Sequence, residues 1–324
     1  MPSNDTPSTP VAAVVYNPVK IDVDQVRAEV ARAERTAGRG TTLWFETSED
    51  DVGQGAARAA LDAGADLVIA AGGDGTVRAA AEVIAGSDAS FAILPAGTGN
   101  LLARNLHLPL DAVGPAIDIA FSGRDRPIDV GAIDVRRADS SVDAHVFVVM
   151  AGVGLDAKMI DATDEDLKKR AGILAYVQAI ARVLRDRSRL HLQYRVDGGS
   201  PARVTAHTLI VANCGSLPGR ILLLPEAQID DGVLDVLFLK PGRVLGWVQV
   251  FGKVLWENGV VGRVPGLRHL ASREVKTVNT STGRRVRASF SRPEQLELDG
   301  DGIGEATGFA IAIREGALTV RVAA

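Results

Sequence analysis

The first 130 residues alternate short apolar runs with longer helix-like segments, and this alternation constrains the fold more than any other feature. The apolar runs include "VAAVVYNP", "TTLWFETS" and "DLVIAAGG", and the segments between them include "VDQVRAEVARAERTAG" and "GQGAARAALDAGA". Strands that alternate with helices predict a parallel sheet covered by helices on both faces. We therefore expect an α/β domain over residues 11–131, preceded by a flexible polar tail at residues 1–10.

The pattern changes after "RPIDVGAIDV", where strand-like segments follow one another without an obligatory helix between them. Examples are "AHVFVVMAGVG", "RLHLQYRV", "RVTAHTLIVANCG" and "GVLDVLFLKP". Short strands separated by turn residues predict a mainly antiparallel sandwich or barrel, here over residues 132–316. Two helical stretches, "DEDLKKRAGILAYVQAIARVLRDR" and "PGRVLGWVQVFGKVLWENG", interrupt this half. A last strand at about residues 317–324 could return to the first domain.

Composition excludes several classes of function. The 36 basic and 40 acidic residues give a net charge of -4, without the basic excess expected of a nucleic-acid-binding protein. The single cysteine, Cys214, excludes an internal disulfide framework and a multi-cysteine zinc site, and it suits the cytoplasm. No segment reaches the roughly 18 uninterrupted apolar residues of a spanning helix, so we expect any membrane contact to be peripheral.

The motif "GGDGT", Gly72 to Thr76, stands between a predicted buried strand and a predicted helix. Ligands of α/β sheets bind beyond the carboxyl ends of the strands, where glycines let backbone N–H groups close on a phosphate at a helix N-terminus. Thr76 can donate its hydroxyl, and Asp74 can reach a phosphate-bound metal or a reacting hydroxyl. An ordinary strand-to-helix turn is the alternative, but such a turn needs one glycine rather than three.

A second glycine turn, "PAGTGN", follows the next predicted strand. By itself it could be a loop that leads into a capped helix. Two Gly-Thr loops at neighbouring strand ends are what the two walls of a phosphate site would need. The pair of loops therefore favours phosphate binding more than either loop does alone.

These motifs, together with "YNP", "RPIDVG", "AGVGLDA", "VANCG", "LPEAQIDDGVLDVLFL" and "ELDGD", resemble the diacylglycerol kinase catalytic-domain family, which includes sphingosine and ceramide kinases. The resemblance runs from Val14 to the last strand. It implies an α/β domain similar to that of NAD kinases and phosphofructokinases, followed by a β-sandwich domain. It also implies ATP-dependent phosphorylation of a lipid hydroxyl, with diacylglycerol the expected acceptor and phosphatidic acid the product.

The resemblance also implies the site residues. The implied nucleotide contacts are Asn17, Thr47, Gly72, Gly73, Asp74, Gly75, Thr76, Gly97, Thr98 and Asn100. The implied ligands of Mg²⁺ are the carbonyls of Gln228 and Val233 and the carboxylate of Asp231, and such hard oxygen donors suit that ion. In isolation, Asp230, Asp231 and Gly232 indicate a hairpin turn, so the metal assignment rests on the resemblance.

The implied catalytic residues are Asp74 and Asp301. The family usually ends its last motif as Asp-Gly-Glu with the glutamate as base, whereas this chain has Asp299, Gly300 and Asp301. Aspartate is one methylene shorter, but a general base requires reach first and a suitable pKa second. Glu305 is the alternative base. A second departure is Leu101, which stands where many bacterial members have aspartate after the second glycine loop.

Several alternatives stay open from the sequence. The acceptor could be a sphingosine-like lipid, monoacylglycerol or NAD, and a catalytically weak lipid- or nucleotide-binding module is a candidate from a different class. The stretch "RVLGWVQVFGKVLW" fits an interfacial helix that collects lipid, although packing against a sheet is the commoner arrangement. We expect a cytoplasmic protein that visits the membrane surface, with ATP and a lipid as partners, no nucleic acid, and a homodimer as one candidate assembly.

Overall fold

The computed structural model describes residues 10–154, 189–217, 221–222, 224, 226–239 and 278–324. The chain divides into two compact units, Met1–Val130 with Glu315–Ala324, and Gly131–Arg314. Residues 1–9 of the predicted tail and both predicted helices of the second half lie outside the described residues. In the described ranges, no helix is long and apolar enough to cross a membrane.

The first unit is a parallel sheet with helices between its strands. Its strands and helices are β1 (Ala12–Tyr16), α1 (Val23–Ala37), β2 (Leu43–Glu46), α2 (Gln54–Asp62), β3 (Leu67–Gly72), α3 (Asp74–Ile84), β4 (Ser90–Pro95), α4 (Leu101–Asn105) and α5 (Val113–Ser122). The strand order is β2-β1-β3-β4, all parallel, and the last strand of the chain joins β4 in parallel where Val320 lies opposite Phe91.

Helices cover both faces of this sheet, as the sequence predicted. Every residue of β1 and β3 is buried, which explains their unbroken apolar runs. Helices α1 and α5 pack with alternate strand residues such as Val14 and Ile69 into one core cluster. The residues that face the other way, such as Val15 and Val68, are also fully buried, and α2 and α3 pack against each other and against β1 and β3.

The second unit is a sandwich of antiparallel strands. The strands are β5 (Arg124–Arg136), β6 (Val142–Phe147), β7 (Met150–Val153), β8 (Leu190–Val196), β9 (Ala202–Ala206), β10 (Thr208–Ala212), β11 (Ser216–Leu217), β12 (Ile221–Leu222), β13 (Leu234–Leu239), β14 (Val278–Gly283), β15 (Arg285–Leu298) and β16 (Asp301–Val322). β5 begins, and β16 ends, in the first unit. The order β14-β13-β10-β7-β15 is extended on β15 by β16 and β8, and β9 pairs with β8.

The long strand β15 belongs to two parts of this sandwich. Its residues 286–290 pair with β8, and its residues 296–298 pair with β7. Two register shifts, between Ser289 and Glu294 and between Gln295 and Glu297, lie between the paired segments. Bulges of this kind bend a strand and increase its twist. The inward side chains form one apolar core that includes Phe147, Leu209, Val286 and Leu298.

Candidate functional site

Four parallel strands end at one edge of the first unit, and the predicted nucleotide residues follow those ends. Thr47 follows β2 and is buried, and its N–H donates to the Tyr16 carbonyl over 2.9 Å. Asn17 follows β1; its N–H donates to the Ala71 carbonyl over 3.0 Å, and its side-chain oxygen accepts from Val19 N–H. The glycine loops follow β3 and β4. The predicted residues are therefore arranged along the carboxyl edge in the strand order β2-β1-β3-β4.

The loop after β3 turns directly into a helix. Gly72 is the last residue of β3, Gly73 is the N-cap of α3, and α3 begins at Asp74. No side chain forms a cap hydrogen bond at Gly73, and a helix start of this kind favours an anion. Gly73, Asp74 and Gly75 are partly exposed, whereas Thr76 is buried. The turn therefore has the form of a phosphate-binding helix start.

The carboxylate of Asp74 connects this turn to the second glycine loop. Its Oδ2 accepts the N–H of Asn100 over 2.8 Å, and its Oδ1 accepts the N–H of Leu101 over 2.5 Å. Leu101 is the first residue of α4, so Asp74 serves as the N-terminal cap that α4 lacks in its own sequence. Both carboxylate oxygens thus bind backbone groups of the other loop. That Asp74 also faces a metal stays a prediction.

Glycine is required in these loops by their packing against each other and against their own side chains. A Cβ at Gly97 would lie 2.8 Å from the Cα of Gly73, and a Cβ at Gly72 would lie 2.8 Å from the Cβ of Thr76. A Cβ at Gly99 would overlap Oδ2 of Asp74. By contrast, a Cβ at Gly73 would meet only the Cα of Gly97, at an ordinary 3.6 Å. Packing therefore explains three of these glycines and leaves Gly73 unexplained.

Side chains of the second loop hold its shape. Asn100 adopts a left-handed conformation with φ 48°, and its side-chain oxygen accepts the Gly97 N–H over 2.9 Å. Arg104 donates its Nε–H to the Gly99 carbonyl over 2.6 Å, a contact that no residue pattern predicted. Thr98 is exposed, and Leu101 is buried in the core. Of this loop, Thr98 is the residue most open to a ligand.

In the second unit, the "LDGD" motif forms a tight hairpin. Asp299 and Gly300, with φ 51° and 93°, are the two turn residues between β15 and β16, and Leu298 pairs with Asp301 across them. Asp301 is thus the first residue of β16 and is partly buried. Glu305, further along β16, is exposed. The two-residue turn therefore determines the position of Asp301 at the start of β16.

The buried carboxylate of Asp299 holds this hairpin turn in place through hydrogen bonds to the backbone. The residue is 3% exposed, and its carboxylate accepts the backbone N–H groups of Val148, Val149 and Met150 over 2.8 to 2.9 Å. Asn213 of the "VANCG" motif donates its side-chain N–H to the Val148 carbonyl over 3.0 Å. Two of the motifs that carry the family resemblance therefore meet in one buried hydrogen-bond network, which positions the start of β16.

The predicted metal residues lie in the turn that leads into β13. Gln228 and Asp231 are exposed, and Val233 is partly buried. The Asp231 carboxylate accepts the N–H of Val233 over 3.1 Å. The structure adds Asp235, on β13, where burial raises the pKa of the carboxyl group and the charges of Asp231 and Glu226 raise it further.

Acidic side chains alone do not form a metal centre in this turn. No group of three or more His, Cys, Asp or Glu side chains suited to a metal ion occurs within the described ranges. A site built from one carboxylate and two carbonyls does not require such a group, because backbone oxygens and water complete the shell of Mg²⁺. The assignment of Gln228, Asp231 and Val233 stays a prediction.

The two units define the class of the protein: an α/β domain with paired glycine loops, followed by an antiparallel β-sandwich domain, as in the lipid kinases that the sequence resembles. Residues 12–133 match the family described as the diacylglycerol kinase catalytic domain. Residues 148–322 match the family described as the YegS C-terminal NAD kinase beta sandwich-like domain. Together the two matches span most of the chain.

Named relatives agree with these matches. The chain is 34% identical over 284 residues to the "Probable lipid kinase YegS-like" of Pseudomonas aeruginosa (strain UCBPP-PA14), covering 83% of this chain and 87% of the relative. It is 27% identical over 294 residues to the "Diacylglycerol kinase" of Bacillus subtilis (strain 168), covering 90% and 89%. A crystal structure of a diacylglycerol kinase from Bacillus anthracis str. Sterne has the same fold, with a TM-score of 0.68, 18% identity and 97% coverage of both chains.

The chain belongs to the diacylglycerol kinase catalytic-domain family. It is therefore an enzyme, a kinase, and membership implies ATP as phosphoryl donor and a lipid as acceptor. This confirms the family and the fold class that the sequence predicted.

Proposed function

We propose that the chain transfers the γ-phosphoryl group of ATP to the hydroxyl of diacylglycerol, giving phosphatidic acid and ADP. The observation that supports this most strongly is the Asp74 carboxylate, which joins two glycine loops at the carboxyl edge of a parallel sheet. Phosphoryl transfer depends mainly on positioning and on neutralisation of charge, and two cross-linked loops of backbone N–H groups supply both. Diacylglycerol is the acceptor named for one of the relatives.

In this proposal, the first unit holds the nucleotide. The N–H groups at the start of α3 and the hydroxyl of Thr98 bind phosphate oxygens, and Gly73 lets the backbone approach them. Asn17 and Thr47, at the ends of β1 and β2, contact the rest of the nucleotide along the same edge. Asp74 acts by holding the two loops at a fixed separation, which makes it a positioning residue.

The donor set at the entry to β13 fits a magnesium ion. The carbonyls of Gln228 and Val233 and the carboxylate of Asp231 would hold the ion, which neutralises phosphate charge during phosphoryl transfer when it is bound. Asp235 lies on the adjoining strand, and its pKa is raised by burial and then by the charges of Asp231 and Glu226. A divalent cation would relieve that repulsion between carboxylates.

Asp301 is the proposed general base. Its carboxylate accepts the proton of the lipid hydroxyl as the hydroxyl oxygen forms a bond to the γ-phosphorus. The bond between the γ-phosphorus and the bridging oxygen breaks at the same time, and ADP leaves with that oxygen. The buried Asp299 network keeps Asp301 in place during this step.

The test is phosphoryl transfer from ATP with Mg²⁺ to diacylglycerol, monoacylglycerol, sphingosine and NAD, with each lipid in neutral detergent micelles. We expect diacylglycerol to be the best acceptor. Asp301→Asn should lower kcat about 100-fold or more with little change in KM for ATP, because proton transfer is lost while nucleotide binding is kept. Asp301→Glu should keep substantial activity.

Glu305→Gln is the matched control, since Glu305 is a nearby acid on the same strand. Its turnover should stay close to that of the unmodified chain. A large loss in Glu305→Gln with none in Asp301→Asn would assign the base to Glu305 instead. ATP binding without transfer to any of the four acceptors would favour the binding-module alternative over the kinase.

A further inference from the structure

One outer face of the second unit carries arginines in neighbouring strands. On β15, Val286 and Ala288 point into the core, and the alternate residues Arg285 and Arg287 are exposed. The same alternation on β8 exposes Arg195. Arg203 on β9 and Arg136 on β5 are also exposed. We call these five residues, Arg136, Arg195, Arg203, Arg285 and Arg287, the arginine face.

The pairing of two of these strands places like charges together. Arg287 lies directly opposite Arg195 in the antiparallel pair of β15 and β8. Like charges in this position destabilise a sheet. Neither arginine forms an ion pair with any residue in the described part of the chain. The nearby Asp197 carboxylate accepts the N–H groups of Arg284 and Arg285. The opposed charges of Arg195 and Arg287 are therefore not neutralised by an ion pair, although the Asp197 carboxylate lies close to both.

The arginine face is concave and has an apolar residue at its rim. Arg136, Arg195 and Arg287 line a shallow concavity of about 550 Å³ together with Ala310 and the single acid Asp134. The small Ala310 side chain lies opposite Arg287 and leaves room between the arginines. Val142 also lines this concavity and is 58% exposed.

A second concavity of about 470 Å³ continues along the same strands. It is lined by four arginines and one acid, with one glycine: Arg195, Arg284, Arg285, Arg287, Asp197 and Gly198. Within the described residues, the large apolar side chains that are exposed are Val19 (88%), Val142 (58%) and Val52 (43%). The surface thus combines a broad basic area with an exposed apolar side chain at its edge.

We propose that the arginine face docks the enzyme on the surface of an anionic phospholipid bilayer. The inference rests on the proposed function, since a diacylglycerol kinase finds its acceptor in a bilayer and leaves an anionic lipid there. The charges are spread across strands rather than converging on one buried point, which suits a surface more than a single soluble anion. The whole chain has a net charge of -4, so only a local basic face can be attracted to anionic lipid.

The experiment measures partition of the full chain, without ATP, into phosphatidylcholine vesicles with and without about 30 mol% phosphatidylserine. The test variant is Arg195→Gln with Arg287→Gln. Each basic residue near an anionic membrane strengthens binding about five-fold, so the double variant should partition about 25-fold more weakly. Binding of the unmodified chain should also weaken as salt is raised.

The control is Arg35→Gln with Arg58→Gln, which removes the same charge from two exposed arginines of the first unit. It should lower partition by less than about two-fold. Thermal unfolding at low salt separates docking from folding: removal of the opposed charges should leave the Tm unchanged or raise it. Both double variants should keep their turnover on diacylglycerol in neutral detergent micelles.

Equal partition of the unmodified chain into both vesicles, or equal losses in the two double variants, would overturn the inference. So would binding of single-stranded RNA through Arg195 and Arg287 with no preference for anionic over neutral vesicles, because the partner would then be nucleic acid. The vesicle measurement needs no turnover. The chain could fail the kinase assay and still bind anionic vesicles through Arg195 and Arg287. That result would count against the proposed function and not against the docking surface.

Discussion

Replacement of Asp299 by asparagine should destabilise the second unit far more than the same change at Asp197. The two residues have matching local structure, since each precedes a glycine in a turn with positive φ, 51° at Asp299 and 47° at Asp197. Asparagine accepts that backbone conformation as well as aspartate does. The residues differ in burial: Asp299 is 3% exposed, and Asp197 lies on the surface.

The magnitude follows from the hydrogen bonds of each carboxylate. In Asp299→Asn, the amide oxygen can still accept Val149 and Met150, but the NH₂ group then opposes the N–H of Val148. One buried N–H without an acceptor costs about 1–3 kcal/mol, and loss of the charge weakens the other two bonds, for a total of about 3 kcal/mol. In Asp197→Asn, one oxygen still accepts both N–H groups and the NH₂ group meets water, so the cost is below about 1 kcal/mol.

Thermal unfolding followed by circular dichroism tests this difference. For a domain of this size, about 3 kcal/mol corresponds to a Tm lower by about 6–12 °C. Asp299→Asn should also lower kcat, since the network holds the turn that precedes Asp301. A Tm no lower in Asp299→Asn than in Asp197→Asn would refute the argument that burial gives this carboxylate its structural role.

Two further predictions concern the first unit. Gly97→Ala should lower the Tm by several degrees, because its Cβ would meet the Gly73 Cα at 2.8 Å. Gly73→Ala should instead keep the Tm within about 2 °C, because its Cβ has room. It should weaken ATP binding about ten-fold in a calorimetric titration. If Gly73→Ala binds ATP normally, the backbone there does not approach the phosphates. Burial raises the pKa of Asp51, but hydrogen bonds from N–H groups of residues 53–56 outweigh it, so the net pKa is lowered. That stabilisation is present above the unfolded-state pKa of about 3.9 and is lost as pH falls through the folded-state pKa. The difference in Tm between the unmodified chain and Asp51→Asn should therefore disappear below about pH 4. A difference in Tm that does not change with pH would contradict this.

The sheet of the first unit could be predicted from the sequence because its physical cause is local. Strands buried on both faces need long apolar runs, and "VAAVVY" and "DLVIAAG" have them. Parallel strands bring their carboxyl ends to one edge, so the chain order of the two glycine loops was enough to predict their proximity. Both expectations needed only the type and direction of each element.

The partners of individual side chains could not be predicted in this way. Asp74 caps α4 because two loops that are separated in sequence approach within hydrogen-bonding distance. The sequence suggested that a ligand requires the glycines of both loops, but a Cβ at Gly72 or Gly97 is excluded by packing alone. The raised pKa of Asp235 likewise depends on burial and on the charge of Glu226, which lies nine positions away in a turn. Such contacts depend on tertiary geometry that no residue pattern specifies.

The arginine face shows why net charge is a poor guide to the surface. A balance of 36 basic and 40 acidic residues predicts no basic surface, yet strand alternation puts Arg285 and Arg287 on one face, and antiparallel pairing adds Arg195. The sequence did contain a signal: arginines two positions apart within a strand must point the same way. The sequence did not reveal the pairing register of β15 and β8, which places Arg287 opposite Arg195. Opposed arginines on an exposed sheet surface lower the stability of the sheet. Contact with an anionic membrane would offset this cost, because both arginines would then be attracted to the lipid headgroups.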